Sequence, residues 1–241
     1  MTYSFSRWVN NKTKEDLQQA GNIRSFLKNL QEYAIEFKIE GKNILTLQRV
    51  ETLGLDKGKN TFHDEAFLER LFLRAHEDDL YNHFSFNGNS SVDLVRATEQ
   101  GHITDLIELK KGSNHLYHAL YEIIFYYFLL CRAKNEINTN KKPTLSDTLH
   151  LTVLLPQALY EQPDRYNKDK KAFVATLQKE LDNLVEPTDP KPTLYVVPIP
   201  NDHPFLTRCE TNREELIQAY KGENQTLYNE LIHATQKIKL P

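Results

Sequence analysis

The chain has 241 residues, 39% of them hydrophobic, 10% aromatic and 26% charged, with a formal net charge of −3. That length and apolar content suffice for one large domain or two small ones with a true core, which excludes a disordered or low-complexity chain. The slight acidity excludes a general polyanion binder with an overall basic surface.

In chain order, residues 12–31 carry Ile23, Phe26, Leu27 and Leu30 at three- and four-residue spacing, which predicts a helix. Residues 33–39 and 44–50 alternate in polarity around Glu40-Gly41-Lys42-Asn43, which predicts a hairpin. A Gly-rich break follows at residues 54–60, then a helix at about 63–76 with a stripe of Leu68, Leu71, Phe72 and Ala75. Residues 82–91 read as a polar loop rich in Asn and Ser. Residues 91–98 and 103–111 read as two strands joined by Glu99-Gln100-Gly101-His102.

Gly112-Ser113 ends this hairpin and supplies an N-cap for a long helix, about 114–134, that is apolar nearly all round. A polar loop at 135–143 leads to a buried strand at 145–155, closed by Pro156. An amphipathic helix at 168–185, a strand at 193–199 and one or two helices within 212–239 complete the chain. Strands joined by crossover helices imply an α/β fold with a mixed sheet and helices on both faces. The expected organisation is an N-terminal helix and hairpin (1–60), a core (61–200) and a C-terminal helical tail (201–241).

Cys131 and Cys209 form neither a disulfide framework nor a metal-ligand spacing. The longest uncharged apolar run, residues 123–131, falls well short of the ~20 residues a bilayer demands. Met1-Thr2-Tyr3-Ser4 does not open a signal peptide, so a cytoplasmic location away from membranes is expected.

The chemistry concentrates in the 91–111 hairpin. Side chains alternate along a strand, so Glu108 and Lys110 project from one face, with Leu109 turned the other way. With Asp93 opposite, two carboxylates and an ammonium converge. Such a trio can hold a divalent cation and steer a water toward a phosphodiester. Asp105 falls on the other face and reads as a strand-start residue. The bland alternative is a solvated strand face, since charge pairs two apart on a strand are common. Tyr117 and Tyr121, four apart on the next helix, can stack on bases or pack in the core. None of the histidines, among them His115 and His118, forms an HxxxH-type metal pair.

The order helix, three strands, helix, strand, with Asp93 on the second strand and Glu108-Leu109-Lys110 on the third, resembles the PD-(D/E)XK phosphodiesterase superfamily. The resemblance spans about residues 61–155 and implies a restriction-endonuclease-like fold. It implies a Mg²⁺- or Mn²⁺-dependent nuclease acting on DNA, in which Asp93 and Glu108 bind the metal and Lys110 is catalytic. Glu65, with Glu69 as a second choice, matches the acidic residue of the first core helix. Lys111, Tyr117, His118 and Tyr121 become candidate substrate contacts. Val92 stands where many members have Pro, and Tyr117 and Tyr121 occupy the place where some subfamilies carry Gln and Tyr. No separate recognition module is visible, so specificity would come from the core's own loops, a second copy of the chain or a partner subunit. The alternative is a catalytically inactive module of the same fold that binds nucleic acid or a protein.

Overall fold

The computed structural model describes residues 22–40, 45–50, 64–76, 79–87, 90–111, 116–136, 144–161 and 169–241. The first helix, α1 (Ile23–Glu36), buries Ile23, Phe26, Leu27, Leu30 and Ala34. It runs through residues expected to form the first strand of a hairpin. The reason is periodicity: Ala34 and Phe37 extend the Leu27/Leu30 stripe at helical spacing. Phe37 and Tyr33 then close on Phe125, with ring centroids at 5.3 and 5.6 Å. Residues 41–43 of the expected hairpin turn and the 54–60 break lie outside the described residues, and of residues 45–50 only Gln48 makes a bridge, to Asn82.

Helix α2 (Asp64–Ala75) leads into β1 (Leu80–Asn87), β2 (Ser90–Ala97) and β3 (His102–Leu109). Strand β1 replaces most of the expected 82–91 loop. Its alternation is real but disguised, because Leu80, Phe84 and Phe86 share their buried rhythm with a polar residue, Asn82. The Asn82 amide pays no desolvation penalty, since Oδ1 accepts from Val50 N at 2.8 Å and Nδ2 donates to Val50 O and to Glu69. Between β2 and β3, Gly101 supplies the positive φ of +80° that the turn requires.

Helix α3 (Leu116–Glu136) crosses from β3 to β4 (Thr144–Pro156). The short α4 (Gln157–Glu161) and α5 (Lys170–Asp182) cross from β4 to β5 (Lys191–Ile199), and α6 (Pro204–Thr211), α7 (Arg213–Tyr220) and α8 (Gln225–Gln236) follow. The sheet order is β1-β2-β3-β4-β5, antiparallel through β3 and parallel from β3 to β5.

Two cores lie across this mixed sheet. Leu106, Leu151, Val153 and Leu155 join α1, α3 and α5 in one. Ile107, Leu109 and Leu154 join α2 and α6–α8 in the other. The alternation of 106 with 107, and of 153 with 154, is the period-two signature of a strand buried on both faces. The C-terminal helices are one wall of the second core: Phe67 of α2 meets Phe205 and Tyr220 edge-on at 5.9 and 5.3 Å. Among the described residues, no helix is long and apolar enough to cross a membrane.

Candidate active site

The β2/β3 register pairs Val95 with Leu106 and Leu94 with Ile107, so one further step sets Asp93 beside Glu108 at the end of the ladder. There the ladder gives way to a side chain: Asp93 Oδ2 accepts the Leu109 N–H at 2.8 Å. One residue on, Lys110 N donates to Leu154 O at 2.8 Å, which fixes the end of β3 to β4. The Lys110 side chain therefore leaves a backbone held on both sides, and its Nζ contacts Glu108 Oε1.

A third carboxylate completes the group. Glu122 of α3 brings Oε2 to 3.1 Å from Lys110 Nζ. Side-chain exposures of 3% for Glu108, 10% for Glu122 and 11% for Lys110 make this a buried network rather than the solvated strand face. Tyr126 OH donates to Glu122 Oε1 at 3.3 Å, and His118 Nδ1 lies 3.5 Å from Oε2. Thus His118, Glu122 and Tyr126 form one line of α3 at four-residue spacing. Glu108 Oε2 is buried without a hydrogen-bond partner.

The electrostatics follow from burial. Asp93 is pushed up to about 6, first by desolvation and then by Glu122 and Glu65, against the pull of Lys110 and the Leu109 N–H. Glu108 is raised well above the carboxylate range by burial and by repulsion from Asp93 and Glu122, with Lys110 opposing. For Glu122 burial also acts upward, but His118 and Lys110 outweigh it and hold the carboxyl below its ordinary value. Burial disfavours the Lys110 ammonium, yet Glu108, Glu122 and Asp93 together hold its pKa above the usual lysine range. Lys110 is a fixed cation here, not a base in waiting.

Around this centre, α2 supplies a rim. Glu65 Oε1 accepts the Lys111 N–H at 2.9 Å, and Lys111 Nζ pairs with Asp64. Asp64 Oδ1 lies 3.1 Å from Arg213 Nη2 of α7. One turn along α2, Glu69 is held by Arg70 and Asn82, and burial pushes it up to about 8.

Asp93, Glu108 and Lys110 are thus brought together, with His118 behind Glu122 and with Glu65 and Lys111 at the rim. Two expected substrate contacts are not there. Tyr117 and Tyr121 are core residues, 1% and 0% exposed, packed on Phe173 at 4.7 Å and on Phe26 at 4.3 Å, so neither offers a face to a base. Asp105 is not a strand-start residue. It is buried within β3, where it accepts from Thr104 Oγ1 at 2.7 Å, with His150 Nδ1 at 3.2 Å and Arg96 Nη1 at 3.6 Å. Glu122 escaped the sequence reading, although it is the only acidic residue between Leu116 and Leu130. A charge inside so apolar a helix demands a partner, and that was the available signal.

Asp93 and Glu108, neighbours across the end of the β2/β3 ladder, offer hard carboxylate oxygens. They suit Mg²⁺ or Mn²⁺, which commonly take one or two protein carboxylates and complete their shell with water. No preformed group of three or more His, Cys, Asp or Glu ligands occurs among the described residues. No family model matches the chain, and no curated protein or solved structure matches it significantly.

Proposed function

We propose that the protein is a metal-dependent phosphodiesterase of the PD-(D/E)XK class, restriction-endonuclease-like in fold, that hydrolyses DNA in a role such as restriction, repair or phage defence. The observation that carries this reading is the buried Glu108–Lys110 pair with the half-buried Asp93 beside it, where β2 and β3 end. Burying like charges side by side costs stability and adds nothing to packing, which suits a site better than a scaffold. The order α2, β1, β2, β3, α3, β4 supports the same class.

Asp93 and Glu108, with the Leu109 carbonyl, are the residues that would hold a Mg²⁺ or Mn²⁺ ion. Such an ion, when bound, supplies a water of lowered pKa and neutralises charge on the phosphate. Lys110, kept cationic by its carboxylates, donates hydrogen bonds from Nζ that orient the attacking water and stabilise charge developing on the phosphorus oxygens. Glu65 holds the strand end in place through Lys111 N. Lys111 itself lies at the rim, where a phosphate backbone would approach.

Labelled single- and double-stranded DNA, incubated with Mg²⁺, Mn²⁺ or EDTA, tests the proposal. Wild type should cleave only with metal and Lys110→Ala should not cleave; no cleavage, or equal cleavage by both proteins, refutes it. The engagement of Lys110 by two carboxylates favours a second reading, a non-catalytic binding module in which the ion pairs are purely structural. Mn²⁺ then leaves the melting temperature of wild type and of Asp93→Ala equally unmoved, whereas the enzyme reading requires a rise in wild type alone.

A further inference from the structure

The Lys110 ammonium is shared between two carboxylates of different standing. Glu108 stands next to Asp93 on the sheet, and the nuclease reading makes it a cation ligand. Glu122 reaches in from α3: Oε1 accepts from Tyr126, and Oε2 ion-pairs with Lys110 at 3.1 Å, with His118 Nδ1 at 3.5 Å. Glu108 has Oε1 on Lys110, and its carboxyl also meets that of Glu122. A cation drawn to Glu108 would put two positive centres on one carboxylate, and the ammonium would be driven away unless something else held it.

Resting on the nuclease reading, we propose that Glu122 is a positioning residue for Lys110, retaining its ammonium beside the reacting phosphate while a divalent cation draws on the charge of Glu108. His118 and Tyr126 fix the Glu122 carboxylate in turn. The α3 line therefore decides where the lysine stands once the cation is bound. Glu122 touches neither cation nor substrate in this role. Its contribution to cation affinity passes through Lys110.

A four-protein cycle tests this with Mn²⁺ alone and no substrate: wild type, Glu122→Gln, Lys110→Met and the double variant, with affinity read by titration calorimetry at one pH. Glu122→Gln should weaken Mn²⁺ binding about tenfold, within the range for coupled charged neighbours, and by about threefold or less in the Lys110→Met background. An equal or larger loss in that background makes Glu122 a ligand or a bare charge and overturns the proposal. Thermal melting establishes which variants fold. Should Glu122→Gln not fold, Glu122→Asp, which keeps the charge and withdraws it by one methylene, takes its place: a Lys110-dependent loss supports the proposal and a Lys110-independent one overturns it. Absence of Mn²⁺ binding by wild type, or undiminished binding by Asp93→Ala, removes the metal-site reading and this proposal together. Those results cannot be mistaken for a failure of the Glu122 role alone.

Discussion

Replacing Lys110 by Met keeps the apolar stem and removes the ammonium that Glu108 and Glu122 share. At an effective dielectric of about 20, the 3.1 Å pair with Glu122 alone represents about 5 kcal/mol of gross attraction. Desolvation of three nearly buried groups consumes most of that, so the network's net contribution is far smaller. Deleting only the cation is another matter. Glu108 and Glu122 stay buried with their shared counter-ion gone, a loss of about 3–5 kcal/mol.

Proton uptake limits the damage. The Glu108 pKa is already raised by burial and by its acidic neighbours, and losing Lys110 raises it further. For a carboxyl whose folded pKa lies above its unfolded one, stability is fully present below the unfolded pKa and is lost as pH rises through the folded one. The deficit of Lys110→Met should therefore be about 3–5 kcal/mol near pH 8 and shrink as pH falls and Glu108 takes up a proton. Urea unfolding in EDTA near pH 8 and at lower pH measures it, with an unchanged m-value showing that only stability has moved. Two proteins within about 1 kcal/mol of each other near pH 8 would mean that Lys110 does not neutralise buried carboxylates, and the charge argument for the site would fall.

The same reasoning applies to Glu69, which burial pushes from 4.5 up to about 8 against the pull of Arg70. Its stability contribution is present below 4.5 and lost as pH rises toward 8, with a ceiling of about 5 kcal/mol, so Glu69→Gln should flatten that slope and exceed wild type in stability near pH 9. Parallel urea-denaturation profiles for the two proteins would refute it. Phe205→Ala should cost about 3–5 kcal/mol in the same assay, because a fully buried ring leaves a cavity beside Phe67. A loss below about 1 kcal/mol would show that α6–α8 do not share a core with α2.

Elements whose burial pattern has a single period were legible in the sequence. Strand β4 shows in the run Leu149-His150-Leu151-Thr152-Val153-Leu154-Leu155, and α3 in its continuous apolar surface. The 91–111 hairpin shows in a Gly that the turn geometry requires. Two stretches misled for opposite reasons. Residues 33–37 contain an alternating string that a strand could use, but long-range packing on Phe125 selects the helical stripe. Residues 80–87 hide a strand because Asn82 occupies an inward position, and its partners, Val50 and Glu69, lie far away in the chain. Polar residues at buried positions are satisfied by tertiary contacts, and these a local pattern cannot contain.

The site divides along the same line. Asp93, Glu108 and Lys110 were legible because strand parity and one antiparallel turn suffice to bring them together. Glu122 was not, because its partner becomes visible only when α3 folds back across the sheet. Spacing alone does not sort the residues of α3: Tyr117 and Tyr121 lie four apart, as His118 and Glu122 do, yet the tyrosines turn into the core while Glu122 meets Lys110 and His118 meets Glu122. What separates the two pairs is the cost of burial. An aromatic ring gains by entering the core, whereas a carboxylate placed there must find a proton, a cation or a hydrogen-bond donor. Three carboxylates around one ammonium leave negative charge in surplus, and burial first, then that surplus, raises the pKa values of Asp93 and Glu108. A fold that needed only stability would fill this position at the end of β3 with apolar side chains, and the surplus is the cost that the proposed site would explain.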